Sequence, residues 1–239
     1  MYNPNAFSSF QEKRYKNWDG PVCTHTWDFI KTIEDIVDMN GVTKIFDIGS
    51  RDGCQALELA DWFPGSEVVA FEPVPSNAEW CRENFKDRKE IMLMEVALSN
   101  KHDKADFYKV VNGNVGASSL YEVNPEHHIA RGWVQEKIQV QVYPAATIIG
   151  IDYEQAPELV WMDVQGAELE VVEGFGRFLE DVHAIHSEVG LSKIYKESTL
   201  KQELVDYLNK RGFRVVNELK NDLNIEEDLV FVNERFYPE

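Results

Sequence analysis

Basic residues are scarce in this 239-residue chain. Lys and Arg number 24 against 42 Asp and Glu, for a formal charge of -18. A surface of that sign repels phosphate backbones and anionic headgroups, so polynucleotides and charged membrane surfaces are excluded as partners. Cysteine is nearly absent too. Cys23, Cys54 and Cys81 have no metal-type spacing and read as reduced thiols, which makes a cytoplasmic setting the expectation. No apolar run approaches the length of a membrane span, and the first residues lack the apolar stretch of a signal peptide. The chain contains neither low-complexity segments nor an internal repeat. Gly-x-Gly-x-x-Gly and Tyr-x-x-x-Lys are both missing, which speaks against a nicotinamide-dependent oxidoreductase. Ser118 and Ser119 lack a Gly-x-Ser-x-Gly context, so neither is a hydrolase nucleophile.

What is present is a folded globular composition, 44% apolar and 12% aromatic. The length suits one α/β domain with a small extension. Lys44-Ile45-Phe46-Asp47-Ile48 reads as a buried strand that runs into the turn Gly49-Ser50-Arg51-Asp52-Gly53 and then a helix. Val68-Val69-Ala70-Phe71-Glu72-Pro73 reads as a second strand ending on an acid. Gly49 and Gly53 let the backbone turn and approach a ligand closely. Glu72 follows at about the 20-residue spacing at which an acid hydrogen-bonds a ribose hydroxyl. Asp47 beneath the loop suits a cationic ligand better than a pyrophosphate. That favours S-adenosylmethionine, which carries a sulfonium and no phosphate, over a dinucleotide. The plainer reading is a tight strand-to-helix connection.

Along the chain, residues 1–42 form an expected N-terminal arm and helix. The arm, with Phe7, Phe10, Tyr15 and Trp18, packs on the domain, or covers the pocket or makes a homodimer contact. Apolar residues from Thr26 to Asn40 recur at helical spacing. Ser76-Asn77-Ala78-Glu79 reads as a capping box. Strands are expected at 67–71, 91–97, 138–143, 159–163 and 183–189, and an antiparallel pair at 213–216 and 229–232. Residues 104–143 read as an inserted strand and lid, with 121–137 unassigned. The alternation of strands and helices predicts an α/β fold. Its core is a doubly wound, mostly parallel, seven-strand Rossmann-like sheet over 43–239, with helices on both faces.

In such a sheet ligands bind beyond the carboxyl ends of the strands. Asp47, Glu72, Glu95, Asp163 and Glu188 all converge there, which is costly unless a cation or hydrogen-bond donors sit among them. At this point the chain resembles the FkbM-type S-adenosylmethionine-dependent methyltransferases. The matching stretches are Phe46 to Gly53, Ala70-Phe71-Glu72-Pro73, Val96-Ala97-Leu98-Ser99, Gly116 to Leu120, and Met162-Asp163-Val164-Gln165-Gly166-Ala167-Glu168. The resemblance implies that the loop from Gly49 to Gly53 lines the methionine moiety, Glu72 holds the ribose hydroxyls and the Ala97 backbone meets adenine. The same stretches bring Asp47, Ser50, Arg51, Pro73 and Asp163 into the cofactor site. Two positions depart from the family pattern: Gln165 stands where Glu is usual, and Arg51 where Asn or a small residue is usual.

The implied reaction is attack of an acceptor oxygen on the sulfonium methyl. The chain has no Asn-Pro-Pro-Tyr stretch of the kind that goes with nitrogen acceptors. Asp163 is the first choice of base, since it ends a strand beside the loop, with Glu188, Glu168 and the histidines behind it. Capping the next helix is the equal alternative for Asp163. A divalent cation between Asp163 and Glu188, with His186 nearby, is a lesser alternative. Arg131 and Trp133 in the lid suit a sugar or glycan acceptor. The expectation is therefore an O-methyltransferase for a hydroxyl of a sugar, glycan or related natural product. A methyltransferase-like binding module without turnover is its rival.

Overall fold

The computed structural model describes residues 2–3, 25–153, 155–220 and 225–238. Cys23 and the arm residues Phe7, Phe10, Tyr15 and Trp18 lie outside the described residues, whereas Tyr2, expected in the same arm, stacks on Trp62 and donates to Glu34 at 2.9 Å.

Helix α1 spans His25–Ile33 and buries Phe29, Ile30 and Ile33 on one face. It stops short of the expected end near Asn40. The Asp38 carboxylate accepts from the Asn40 amide, and the chain tightens into a 3-10 turn at Met39–Gly41. A short acid that bonds its own backbone competes with continued helix.

Seven strands form the main sheet. In chain order they are β1 (Lys44–Ile48), β2 (Glu67–Phe71), β3 (Ile91–Met94), then β7 (Leu159–Met162), β8 (Ala184–Gly190), β9 (Phe213–Lys220) and β10 (Glu226–Asn233). Their order across the sheet is β3-β2-β1-β7-β8-β10-β9. Strand β1 pairs in parallel with β2 and β7, so the sheet reverses direction of growth at β1. Only β10 runs against its neighbours. The expected terminal antiparallel pair is therefore present, and longer than the apolar pattern marks.

Both faces of the sheet are covered, which is why its strands read as continuous apolar runs. On one face α1, α2 (Cys54–Trp62) and α3 (Pro75–Phe85) pack over Ile45, Val68 and Trp161. On the other, α4 (Ala145–Ile148), α5 (Glu168–Gly174) and α6 (Lys201–Asn209) pack over Phe46, Val69 and Met162. Helix α3 begins two residues earlier than the capping-box reading, which has Ser76 as the cap. Pro75 takes the first helical position after Val74, whose side chain makes no cap. Proline suits that position because its missing N–H would have had no helical partner.

A second, three-stranded sheet has the order β4-β6-β5, from β4 (Ala97–Leu98), β5 (Asp103–Asn112) and β6 (Val134–Tyr143). Strands β5 and β6 are antiparallel. Phe107, Val140 and Val142 pack with Ala97 and Val74, which roofs the carboxyl end of β2. The previously unassigned stretch after Leu120 packs Val123 and Ala130 against Ile194 and Tyr195. Among the described residues no helix is long and apolar enough to cross a membrane.

Candidate active site

The carboxyl ends of β1, β2 and β7 open into a cleft. One end is apolar, walled by Phe71, Val74, Val96, Leu98 and Phe107. The other carries Gly49, Arg51, Glu72, Asp163 and Gln165. The loop from Val115 to Leu120 supplies a further wall. Leu120 belongs to the stretch Gly116 to Leu120 that the family resemblance singles out, whereas Phe107 carries no local signal, because nothing marks a hairpin residue as facing a distant strand end.

The loop after β1 is built from below. The Gly49 amide donates to the Phe71 carbonyl at 3.0 Å, and so does that of Ser50. Gly49 has φ of +90°, and a Cβ there would run into the Asp163 carbonyl. The turn therefore requires glycine to pack β1 against β7. Asp47 and Ser50 are buried under the loop, joined by a 2.6 Å bond from the Ser50 hydroxyl to Oδ2. Burial pushes the Asp47 carboxyl up to about 7. Gly53 starts α2 against the Phe85 ring. Asp47, Ser50 and Gly53 thus shape the loop, whose Gly49 and Arg51 line the cleft.

Glu72 does face the cleft. Its Oε2 accepts from the Arg51 amide and its Oε1 from the Val74 amide, both at 2.8 Å. Asn77 adds a longer contact at 3.4 Å. Burial pushes the Glu72 carboxyl up to about 7 despite these donors. Pro73 and Ala97 line the cleft beside it. Arg51 adopts φ of +54° and turns its guanidinium toward Asp52 at 3.8 Å, half exposed, rather than toward Asp47.

Asp163, just beyond β7, lines the cleft and accepts from Gln165 Nε2 at 2.6 Å. It does not cap α5; Ala167 is the cap residue, and no side chain bonds there. Enclosure raises the Asp163 carboxyl above its ordinary range, and Asp228 adds to the effect. Glu188 on β8 points into a smaller neighbouring cleft with Glu168, Tyr195 and Glu226. It accepts from the same Gln165 nitrogen at 2.5 Å. Burial, then Asp163, pushes Glu188 well up. The expected pairing of Asp163 with Glu188 is thus present, but through an amide, and only Asp163 lines the larger cleft.

The remaining candidates fall elsewhere. Glu168 accepts from the Gly166 amide at 2.7 Å, and burial pushes it up to about 8. Glu95 is half exposed and pairs with Arg82, so it does not join the acids at the strand ends. His186 is buried, stacked on Trp161 at 3.5 Å and placed 3.1 Å from Asp228. Its ring therefore serves the core. His127 and His128 stack on each other, with His127 bonded to Ser192. Trp133 packs with Ile194 and Tyr195 rather than on the cleft, and Arg131 is exposed. Among the described residues no group of three or more His, Cys, Asp or Glu is arranged to hold a metal ion. Between Asp163 and Glu188 stands an amide N–H donor, the opposite of what a cation seeks.

Residues 47–215 match the methyltransferase FkbM domain family. That span is more than half of the chain. The chain belongs to the FkbM methyltransferase family. It is an S-adenosylmethionine-dependent methyltransferase, and the binding-module and oxidoreductase alternatives give way to that assignment. It is 29% identical over 172 residues to the 2-O-methyltransferase NoeI of Sinorhizobium fredii, across 69% of this chain and 70% of that protein. Solved structures share the fold. Aeropyrum pernix fibrillarin, with natively bound S-adenosyl-L-methionine, superposes with a TM-score of 0.51 at 14% identity. The match covers 82% of this methyltransferase and 69% of that chain. The ribosomal protein L11 methylase of Lactobacillus delbrueckii subsp. bulgaricus gives 0.51 at 11% identity, over 90% and 80% of the two chains.

Proposed function

We propose that this methyltransferase transfers a methyl group to a hydroxyl of a sugar or glycan, with Asp163 as the base. The observation that carries the reading is Asp163 itself. It is a carboxylate just beyond β7, on the wall of the cleft, held by one amide and raised above its ordinary range by burial. Burial of that kind makes a carboxylate a stronger base than it is in water, which suits it to receiving a hydroxyl proton. The 2-O-methyltransferase NoeI, at 29% identity, supports oxygen as the acceptor atom.

The cleft's chemistry fits the cofactor. Its apolar end suits a planar base between Val74 and Leu98, with Ala97 alongside. Glu72 Oε2 accepts from the Arg51 amide and keeps a lone pair for a ribose hydroxyl, while Oε1 takes the Val74 amide and a weak 3.4 Å bond from Asn77 that a second ribose hydroxyl would replace. Among the described residues lining the cleft, Arg51 is the one cation, set against the carboxylates Glu72 and Asp163, a balance that suits a sulfonium better than a pyrophosphate. Bound there, the cofactor supplies a methyl group already activated as a sulfonium. The protein then has to orient the acceptor, exclude water and receive its proton. With the cofactor held there, Asp163 would take the acceptor's hydroxyl proton as the oxygen accepts the methyl group and S-adenosylhomocysteine leaves.

The test is transfer from methyl-labelled S-adenosylmethionine to a panel of oligosaccharides, each paired with its 2-deoxy counterpart. Amine-bearing sugars serve as a further control. Label at a hydroxyl, lost in the 2-deoxy partner, is the expected result. Label on nitrogen overturns the oxygen assignment. In Asp163→Asn, turnover should fall about 100-fold or more, far beyond any loss of cofactor affinity. Survival of turnover would move the base elsewhere.

A further inference from the structure

After β7 the chain takes a turn that costs conformational energy. Gln165 has φ of +54°, in the left-handed region, next to Gly166 at +103°. A residue with a Cβ stays there only where its surroundings hold it. Here the Ser119 hydroxyl donates to the Gln165 carbonyl at 2.7 Å, and the Thr199 amide donates to the Gly166 carbonyl at 2.7 Å. The turn aims the Gln165 side chain inward, between two acids on adjacent strands.

The amide's bonding is fully specified. Nε2 donates to Asp163 at 2.6 Å and to Glu188 at 2.5 Å, which uses both N–H groups. Oε1 accepts from the Tyr195 hydroxyl at 2.7 Å. A flipped amide would set its oxygen against two carboxylates, so the orientation follows from the network. The buried Tyr195 hydroxyl also lies 3.0 Å from the Ala117 carbonyl, on the loop that walls the cleft. One side chain therefore joins the proposed base, a second acid outside the cleft and the loop across from both.

The charged and titratable groups facing this array come from every neighbouring element. Glu226 and Asp228 face it from β10, His186 from β8, Asp47 from β1, Glu168 from α5, Tyr195 from the segment after β8, and Arg51 from the loop after β1. The acids outnumber the cations. Enclosed carboxylates in that situation do not ionise independently; they hold protons as a group.

We infer that Gln165, oriented by Tyr195, is a positioning residue for methyl transfer, joining Asp163 and Glu188 into one unit that releases a proton when the cationic cofactor arrives. This rests on the cofactor placement proposed above. The exchange balances in charge: the sulfonium enters and one proton leaves to solvent. S-adenosylhomocysteine has the same groups except the methyl and its positive charge, so it leaves that proton in place. Asp163 is then unprotonated only when the methyl donor is bound, which is when a base is needed.

Calorimetric titration of the full chain with each ligand near pH 7, in phosphate and in Tris, tests this without any acceptor. The two buffers differ in ionisation enthalpy, so the heats report protons exchanged. In the wild type S-adenosylmethionine should release about one proton more than S-adenosylhomocysteine. Tyr195→Phe keeps the ring packing and should cut that difference to less than half, as should Gln165→Ala. A wild-type-sized difference in both variants would make Gln165 a packing residue only. Equal proton release for the two ligands in the wild type overturns the coupling while leaving the cofactor site intact. Should either variant fail to fold, the wild-type comparison alone decides. Failure of the wild type to bind either ligand overturns the cofactor placement, and this inference with it.

Discussion

Glu72 shows how one carboxylate serves two purposes. Its oxygens tie the Arg51 and Val74 amides, which closes the loop after β1 and starts α3. The same oxygens face the cleft. Removing them should therefore affect binding before it affects the fold. Glu72→Ala is expected to weaken S-adenosylhomocysteine binding by about 1.5–3 kcal/mol, roughly tenfold or more, the worth of hydrogen bonds to a charged group. Isothermal titration beside a thermal melt separates the two effects, and unchanged affinity would remove Glu72 from the site. Asp163 and Glu188 teach a different lesson at this scale. Their types and strand-end positions are legible in the sequence. The amide between them is not, because Tyr195, which orients that amide, lies 30 residues away in the chain.

At the scale of elements, the join between β1 and β7 depends on the absence of a side chain. Gly49 combines a left-handed backbone with a carbonyl of β7's continuation where a Cβ would stand. Gly49→Ala should cost about 3 kcal/mol from strain and overpacking together. For a chain of this size that lowers the melting temperature by on the order of 10 °C. Gly65 is the control. Its φ is +96°, but nothing lies within 4 Å of a Cβ there, so Gly65→Ala should cost only about 1 kcal/mol. Equal melting temperatures for the two variants would show that the close approach is not what fixes Gly49. The local errors of the sequence reading also belong here. The missing capping box before α3 arises from Pro75, whose local geometry overrode a longer pattern; α1 ends at Ile33, and Asp38 caps the separate 3-10 turn at Met39–Gly41.

Over the whole molecule, the acids are divided by where they sit. Exposed ones such as Glu34 and Asp106 are held below their ordinary range, Glu34 by Lys31 and Asp106 by Lys137. Enclosed ones are raised by burial: Asp47, Glu72 and Glu226 to about 7, and Glu168 to about 8. A carboxyl raised on folding makes the folded state bind more protons than the unfolded chain between its two values. Its contribution is complete below the ordinary carboxylate range and is lost as pH rises through 7 to 8. The cofactor-free protein should therefore melt several degrees higher at pH 5.5 than at pH 8. Stability should fall only in stronger acid, as the exposed pairs protonate. Scanning calorimetry across that range checks the sign, and a maximum near pH 8 would contradict it.

The sequence by itself determined the sheet and the edge at which ligands bind. Buried strands and their crossover helices are written in local periodicity, and Gly49, Glu72 and Asp163 sit at strand ends that the chain order alone defines. It also marked Gln165 as a departure from the family pattern. Only the tertiary structure decided which strand-end groups look into the cleft. Asp47 and Ser50 are turned beneath the loop while Glu72, a residue type no different from Glu95, is enclosed. Only the fold could bring Phe107 and Leu120 over the end of β2, or set Tyr195 against Gln165. The physical reason is the range of the forces involved. Periodic burial acts over a few residues along the chain. The direction of a side chain at a strand end, and the charge it carries, are set by neighbours that only packing brings together.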